Sequence, residues 1–80
     1  MINSNELKGK MVAKGITLDD LSKLTNLSKA TLSYKINNKR VFTVPEMYKL
    51  RQVLALTQDE AEHIFFGNEV EHISTDSKEN

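Results

Sequence analysis

Residues 28–40, SKATLSYKINNKR, combine small polar side chains with a run of basic ones. Lysine donates hydrogen bonds to guanine O6 and N7, and the methyl groups of alanine and threonine contact the methyl group of thymine. Serine and tyrosine hydroxyls bond to base edges or to phosphates. The residues that we expect to face base edges are Lys29, Ala30, Thr31, Ser33 and Tyr34.

A second set in the same segment has the chemistry to contact phosphates. Lysine and arginine neutralise phosphate charge and fix the orientation of a bound duplex without reading its sequence. The residues that we expect in this role are Ser28, Lys35, Asn37, Lys39 and Arg40. An ordinary solvated helix face is the competing interpretation, and the basic residues that flank the segment count against it.

Helical spacing separates these polar side chains from apolar ones. Leu32 and Ile36 lie four residues apart and predict a helix from Lys29 to about Asn37, with Ser28 as its N-cap. Ala30, Tyr34 and Asn37 then lie on the side opposite the leucine and isoleucine. The predicted helix therefore has one face for a core and one face for a ligand.

A helix of similar length precedes this one. An apolar stripe of Leu18, Leu21 and Leu24 predicts a helix that Thr17 caps and that ends near Thr25. Asn26 is expected in the left-handed conformation, because asparagine adopts it more readily than most residues. Two short helices joined by a tight turn are typical of a helix-turn-helix DNA reader.

Pairs of residues three apart predict where the other helices begin. A short polar side chain followed three residues later by a glutamate is typical of a helix N-terminus, and a glycine often ends the helix. The chain is therefore expected to be all-α, a compact five-helix domain over residues 1–67 with a flexible, polar and acidic tail at 68–80. These pairs are Asn3 with Glu6, Thr43 with Glu46, and Thr57 with Glu60, and the glycines are Gly15 and Gly67.

The formal net charge is zero, but the charge is unevenly distributed along the chain. Residues 1–51 carry a net charge of +6, and residues 52–80 carry −6. This asymmetry indicates a basic binding face and an acidic far side, which would orient the molecule in the field of a polyanion. A dipolar surface without a partner is the alternative. Phe42, next to the basic residues, is expected to anchor the loop in the core rather than to stack on a base.

Several function classes are not supported by the sequence. There is no cysteine for a disulfide or a thiolate metal site, and the apolar runs are shorter than the roughly 18 residues of a membrane span. Glu60 and His63 have a spacing that can share a metal ion, but without a second cluster a solvated helix face is favoured. We expect a cytoplasmic protein without catalytic residue, metal or cofactor.

Residues 17–40, TLDDLSKLTNLSKATLSYKINNKR, together with the F-T-x-x-E stretch at 42–46 and IFFG at 64–67, resemble the Cro/CI-type, lambda-repressor-like helix-turn-helix proteins. The likeness covers roughly residues 6–66 and is strongest to short Cro-like regulators of temperate phages of Gram-positive bacteria. It implies a recognition helix at 29–37, with Lys29, Ala30 and Tyr34 facing bases and with Lys39 and Arg40 on the DNA backbone. Leu18 departs from the family, which often has glutamine there.

Two functions follow as hypotheses. The first is a repressor in a bacterial host cell that occupies double-stranded operator DNA, as a homodimer on DNA or with a second repressor protein. The second is a protein-interaction module, such as an anti-repressor or an antitoxin-like partner. The apolar run of Ile64, Phe65 and Phe66 is the expected partner or dimer contact in that case. The alternative, which is favoured, is that Ile64 and Phe65 close the core and Phe66 covers its edge.

Overall fold

The computed structural model describes residues 1–67, and over that range it contains five helices and no strand. In chain order these are α1 (Ser4–Lys14), α2 (Leu18–Thr25), α3 (Lys29–Ile36), α4 (Val44–Val53) and α5, which begins at residue 58 and is described as far as residue 67. The all-α prediction is confirmed, and the expected tail at 68–80 lies outside the described residues. None of the helices in residues 1–67 has the length and apolar character of a membrane span.

The predicted N-terminal caps are confirmed. The Thr43 hydroxyl accepts a hydrogen bond from the Glu46 amide, and the Glu46 carboxylate accepts one from the Thr43 amide. Thr17 and Asp20 form the same reciprocal pair at α2, which satisfies backbone donors that would otherwise lack partners. The other predicted caps are formed by Asn3 with Glu6 at α1 and by Thr57 with Glu60 at α5.

The predicted left-handed ends are also present. Gly15 has φ 67° and closes α1, and Asn26 has φ 67° in the turn between α2 and α3. Ala55 has φ 51° after α4, although alanine carries a steric penalty in this region. There the Leu56 amide donates to the Arg51 carbonyl at 2.9 Å, which closes the helix.

A single apolar core joins the helices. Phe42 and Phe65 meet edge to face with ring centroids 6.0 Å apart, so the predicted core role of Phe42 is confirmed. The buried apolar residues are Ile2, Leu7, Met11, Leu21, Leu32, Ile36, Phe42, Leu50, Leu54, Leu56, Ile64 and Phe65.

Two sequence expectations about apolar residues are wrong. Leu24 is 54% exposed, although it continues the three-residue spacing of Leu18 and the buried Leu21. Ile64 and Phe65 lie in the core and are not available to a partner, whereas Phe66 remains partly exposed. The expected contact run therefore reduces to Phe66.

Candidate nucleic-acid interface

Helix α3 buries one side and exposes the other. Leu32 and Ile36 are in the core, whereas Lys29, Ala30 and Tyr34 are exposed. Between them, Thr31 and Ser33 are half-buried. The five predicted base-facing residues thus form one accessible strip along α3, and the predicted side of the helix is the one left open.

The turn before α3 is held by side-chain hydrogen bonds. The Ser22 hydroxyl donates to the Leu27 carbonyl at 2.6 Å, and the Thr25 hydroxyl donates to the Leu21 carbonyl at 2.6 Å. Ser28 caps α3, because its hydroxyl oxygen accepts the Thr31 amide at 3.1 Å. The bond from Ser22 ties α2 to the turn, and the bond from Thr31 to Ser28 fixes the start of α3.

Lys29 has an acidic neighbour on α2. The Asp19 carboxylate lies 3.7 Å from the Lys29 ammonium and 3.3 Å from that of Lys23. All three side chains are exposed, so these ion pairs contribute little to stability in water. Asp19 nevertheless lowers the positive potential at the N-terminal end of the strip and restrains the reach of Lys29.

Asp20 has a different role from its neighbour on α2. A hydrogen bond from the Thr17 amide and, to a smaller extent, one from the Thr17 side chain lower the pKa of Asp20. The carboxylate is therefore ionised at neutral pH while it caps the helix. Helix α2 thus presents two acidic side chains, Asp19 and Asp20, in its first turn.

The structure contradicts the expectation that Lys35 contacts phosphate. Its side chain is buried, its ammonium donates to the Glu46 carboxylate at 2.6 Å, and it lies 6.0 Å from the centre of the Phe42 ring. Burial works to raise the pKa of Glu46, but hydrogen bonds from Lys35 and the Thr43 amide outweigh it and hold that pKa below its usual value. Lys35 therefore joins α3 to α4 and is removed from the phosphate-contacting set.

The basic loop after α3 is firmly shaped. Asn38 has φ 64°, and the next amide, that of Lys39, donates to the Tyr34 carbonyl at 2.8 Å. The Asn38 side chain accepts from the Ile2 amide at 2.8 Å and donates to the Ile2 carbonyl at 3.1 Å. Lys39 and Arg40 are exposed in this loop, beside the strip on α3.

A further basic residue, Lys8, lies near this loop. The Lys8 ammonium on α1 donates to the Asn37 side chain at 2.9 Å, and Asn37 in turn donates to the Ser33 carbonyl at 2.9 Å. Lys8 thus lies at the C-terminal end of α3, next to the basic loop. No local pattern in the sequence could have indicated this contact, because it joins residues 29 positions apart.

The metal interpretation of Glu60 and His63 finds no support in residues 1–67. Glu60 is 2.6 Å from the Lys10 ammonium, and this hydrogen bond, together with one from the Thr57 amide, lowers the pKa of Glu60 to about 2. The His63 ring contacts the Glu6 carboxylate instead. Among the described residues no group of three or more potential ligands could hold a metal ion.

A shallow apolar groove lies between α4 and α5. It encloses about 230 Å³ and is lined by Val44, Tyr48 and Phe66, which are exposed, with Arg51 and Glu62 among its polar residues. This groove is a surface separate from the strip on α3.

Comparison with known proteins identifies the region that contains the strip. A family model described as a Cro/C1-type HTH DNA-binding domain matches residues 6–61. The match covers more than half of the chain and runs from within α1 to the first turn of α5, including the turn, α3 and the basic loop. No curated protein and no solved structure matches the sequence.

Proposed function

This chain belongs to the Cro/C1-type HTH DNA-binding domain family, and on that premise we propose that it represses transcription by occupying operator DNA through the major groove. Membership in this family makes the chain a regulator that binds double-stranded DNA. The proposal rests on the two faces of α3. One face packs in the core, and the other exposes small and basic side chains. A helix presented in this way fits a major groove about 12 Å wide.

In the proposed complex the first two turns of α3 face the bases. Ala30, Thr31 and Ser33 are small, so the backbone can approach the base edges closely. Lys29 is the expected donor to a guanine, and the methyl groups of Ala30 or Thr31 the expected contacts of a thymine methyl. Tyr34 lies farther along the same strip, beside Arg40.

Phosphate contacts are proposed for the ends of α3. Ser28 lies at its N-terminal end, and Asn37, Lys39 and Arg40 lie at or beyond its C-terminal end. Lys8 is added to this set because its ammonium reaches Asn37. Each neutralised phosphate releases counterions, so this set is expected to supply affinity that falls steeply with salt.

We propose further that the regulator is of the short Cro-like phage type, as the stretches at 42–46 and 64–67 suggest. Two copies are expected on one operator, reading half-sites about one helical turn, or roughly 34 Å, apart. Sizing the chain alone and on a palindromic duplex tests this part. A complex that holds one copy per palindrome would contradict it.

The experiment for the main proposal is duplex binding by fluorescence anisotropy, followed by selection of sites from a random pool. Binding to a random-sequence duplex is expected at low salt and is expected to weaken sharply as salt rises. Selected duplexes are expected to bind at least about 1,000-fold more tightly than random ones. Equal affinity for all sequences, or no binding at low salt, would contradict the proposal.

The groove between α4 and α5 favours a second candidate function, which is contact with another protein as an anti-repressor or antitoxin-like partner. Its exposed residues Tyr48 and Phe66 give it an apolar surface that a small helix can cover. In this case Phe66→Asp is expected to abolish co-purification with a second protein and to leave duplex binding intact. Loss of both properties would argue against a separate surface.

A further inference from the structure

The Arg40 guanidinium lies over the ring of Tyr34, 5.7 Å from its centre. We propose that Tyr34 acts as a positioning residue, whose ring holds Arg40 against a backbone phosphate at the edge of the groove. This inference rests on the proposed function and assigns Tyr34 a different role from Lys29. Tyr34 then contributes affinity for any duplex sequence through Arg40 and does not itself read a base.

The loop backbone brings Arg40 to this ring. Asn38 turns the chain with φ 64°, and the Lys39 amide bonds to the carbonyl of Tyr34 itself. The two hydrogen bonds between Asn38 and Ile2 hold the turn from outside. Arg40 therefore follows directly on a turn that is fixed at three points, and its side chain folds back over α3.

Both partners are accessible to a ligand. Tyr34 is 48% exposed and Arg40 is exposed, so in free solution the stack is only weakly stabilising. A bound duplex would exclude water from the pair, and a cation over an aromatic ring gains strength when it is desolvated. The planar guanidinium, 5.7 Å from the ring centre, retains its donors for a phosphate.

Lys39, a basic residue in the same loop, can be compared directly with Arg40. It is exposed on the same loop, and among residues 1–67 no aromatic ring lies beneath its ammonium. A side chain without such a support loses more conformational freedom when it contacts a phosphate. Removal of the Tyr34 ring should therefore weaken the contribution of Arg40 and leave that of Lys39 unchanged.

The test measures the affinity of the full chain for a random-sequence 30-base-pair duplex at low salt. Arg40→Ala is expected to weaken binding about fivefold and to lower the salt slope by about 1. Tyr34→Leu is expected to weaken binding about threefold, whereas Tyr34→Phe, which keeps the ring, stays within about 1.5-fold of the original chain. Tyr34→Leu is expected to have no further effect in the Arg40→Ala background.

The control variants separate positioning from folding. Tyr34→Leu combined with Lys39→Ala is expected to show the product of the two single losses, because these residues do not interact. In Asn38→Gly the glycine still tolerates a positive φ, but the bonds to Ile2 are removed. Affinity for the duplex is expected to fall about twofold, and no such fall is expected in the Arg40→Ala background. Thermal unfolding followed by circular dichroism verifies that each variant is folded.

Three outcomes would overturn the inference. Equal losses for Tyr34→Phe and Tyr34→Leu would assign the effect to the hydroxyl, and multiplying losses for Tyr34→Leu and Arg40→Ala would show independent contacts. A loss confined to selected duplexes, absent on the random one, would make Tyr34 a base reader. Failure of the unaltered chain to bind any duplex would instead contradict the proposed function itself, and the inference with it.

Discussion

Lys35 and Lys39 lie four residues apart, one in the last turn of α3 and the other in the loop after it, yet one is buried and the other is exposed. Lys35 points inward, where Glu46 binds its ammonium and Phe42 packs beside it. Lys39 is exposed at the start of the basic loop. The comparison shows that a cluster of basic residues in the sequence does not form a single basic surface, because one member of the cluster is neutralised within the fold.

The largest effect is expected from the buried pair of Lys35 and Glu46. Glu46→Ala leaves the Lys35 ammonium buried without a partner and removes the capping box of α4, so the free energy of unfolding is expected to fall by about 3 kcal/mol. Urea unfolding at pH 7 measures it. Glu62→Ala is the control, because the Glu62 carboxylate is exposed and bonds to Gln58 on its own helix. A change for Glu46→Ala no larger than for Glu62→Ala would show that the pair is not buried in solution.

Acid is expected to weaken the carboxylate contacts while leaving the exposed lysines charged. The pKa of Glu60 is lowered from 4.5 to about 2 in the folded chain, and that of Glu46 is also lowered. Because the unfolded chain then binds more protons, this stability is present above pH 4.5 and is lost as the pH falls toward 2. The melting temperature should fall across that window.

Glu60→Gln isolates the part of this acid response that belongs to Lys10 and Glu60. The variant is expected to melt below the original chain at pH 7 and to approach it near pH 2, because glutamine has no charge to lose. A parallel pair of melting curves across the whole pH range would mean that the folded pKa of Glu60 is not lowered.

A smaller effect, on DNA binding, is expected for the exposed Lys39. Lys39→Ala is expected to weaken binding to a random-sequence duplex about fivefold and to lower the salt slope by about 1, because one phosphate contact is lost. Lys35→Met is its matched control, since methionine fills similar space, and its affinity is expected to stay within about twofold. Equal losses for the two variants would remove the distinction between the two lysines.

The smallest expected effect concerns Asp19, the acidic residue beside the strip. Asp19→Asn removes a negative charge 3.7 Å from the Lys29 ammonium, so binding to random duplex is expected to tighten about twofold at low salt. Glu62→Asn, which removes a charge from α5, is the control and should change little. Weaker binding for Asp19→Asn would mean that Asp19 positions Lys29 more than it repels phosphate.

Most helix boundaries could be predicted from the sequence because their causes are local. Thr43 and Glu46 cap α4 from three residues apart, and Asn26 adopts the left-handed turn for reasons intrinsic to asparagine. The exposed side of α3 was predictable for a similar reason, since the positions of Leu32 and Ile36 determine which side is buried. The positive φ of Ala55 had no such local signal.

The features that the sequence could not indicate depend on contacts between distant residues. Glu46 reaches Lys35 across the basic loop, and the bonds between Asn38 and Ile2 join residues 36 positions apart. Neither contact leaves a periodic pattern in the sequence. The charge of Lys35 therefore placed it in the predicted phosphate-contacting set although it is buried, and the position of Lys8 beside Asn37 had no signal in the sequence.

The exposed side of α3 and the loop after it are proposed to bind double-stranded DNA. Titration of the ¹⁵N-labelled chain with a duplex, followed by amide chemical shifts, tests this binding surface. The largest changes are expected within residues 28–40, with Lys8 among the affected residues, and little change is expected for α4 and α5 around their groove. Changes confined to that groove, or none at low salt, would contradict this proposal.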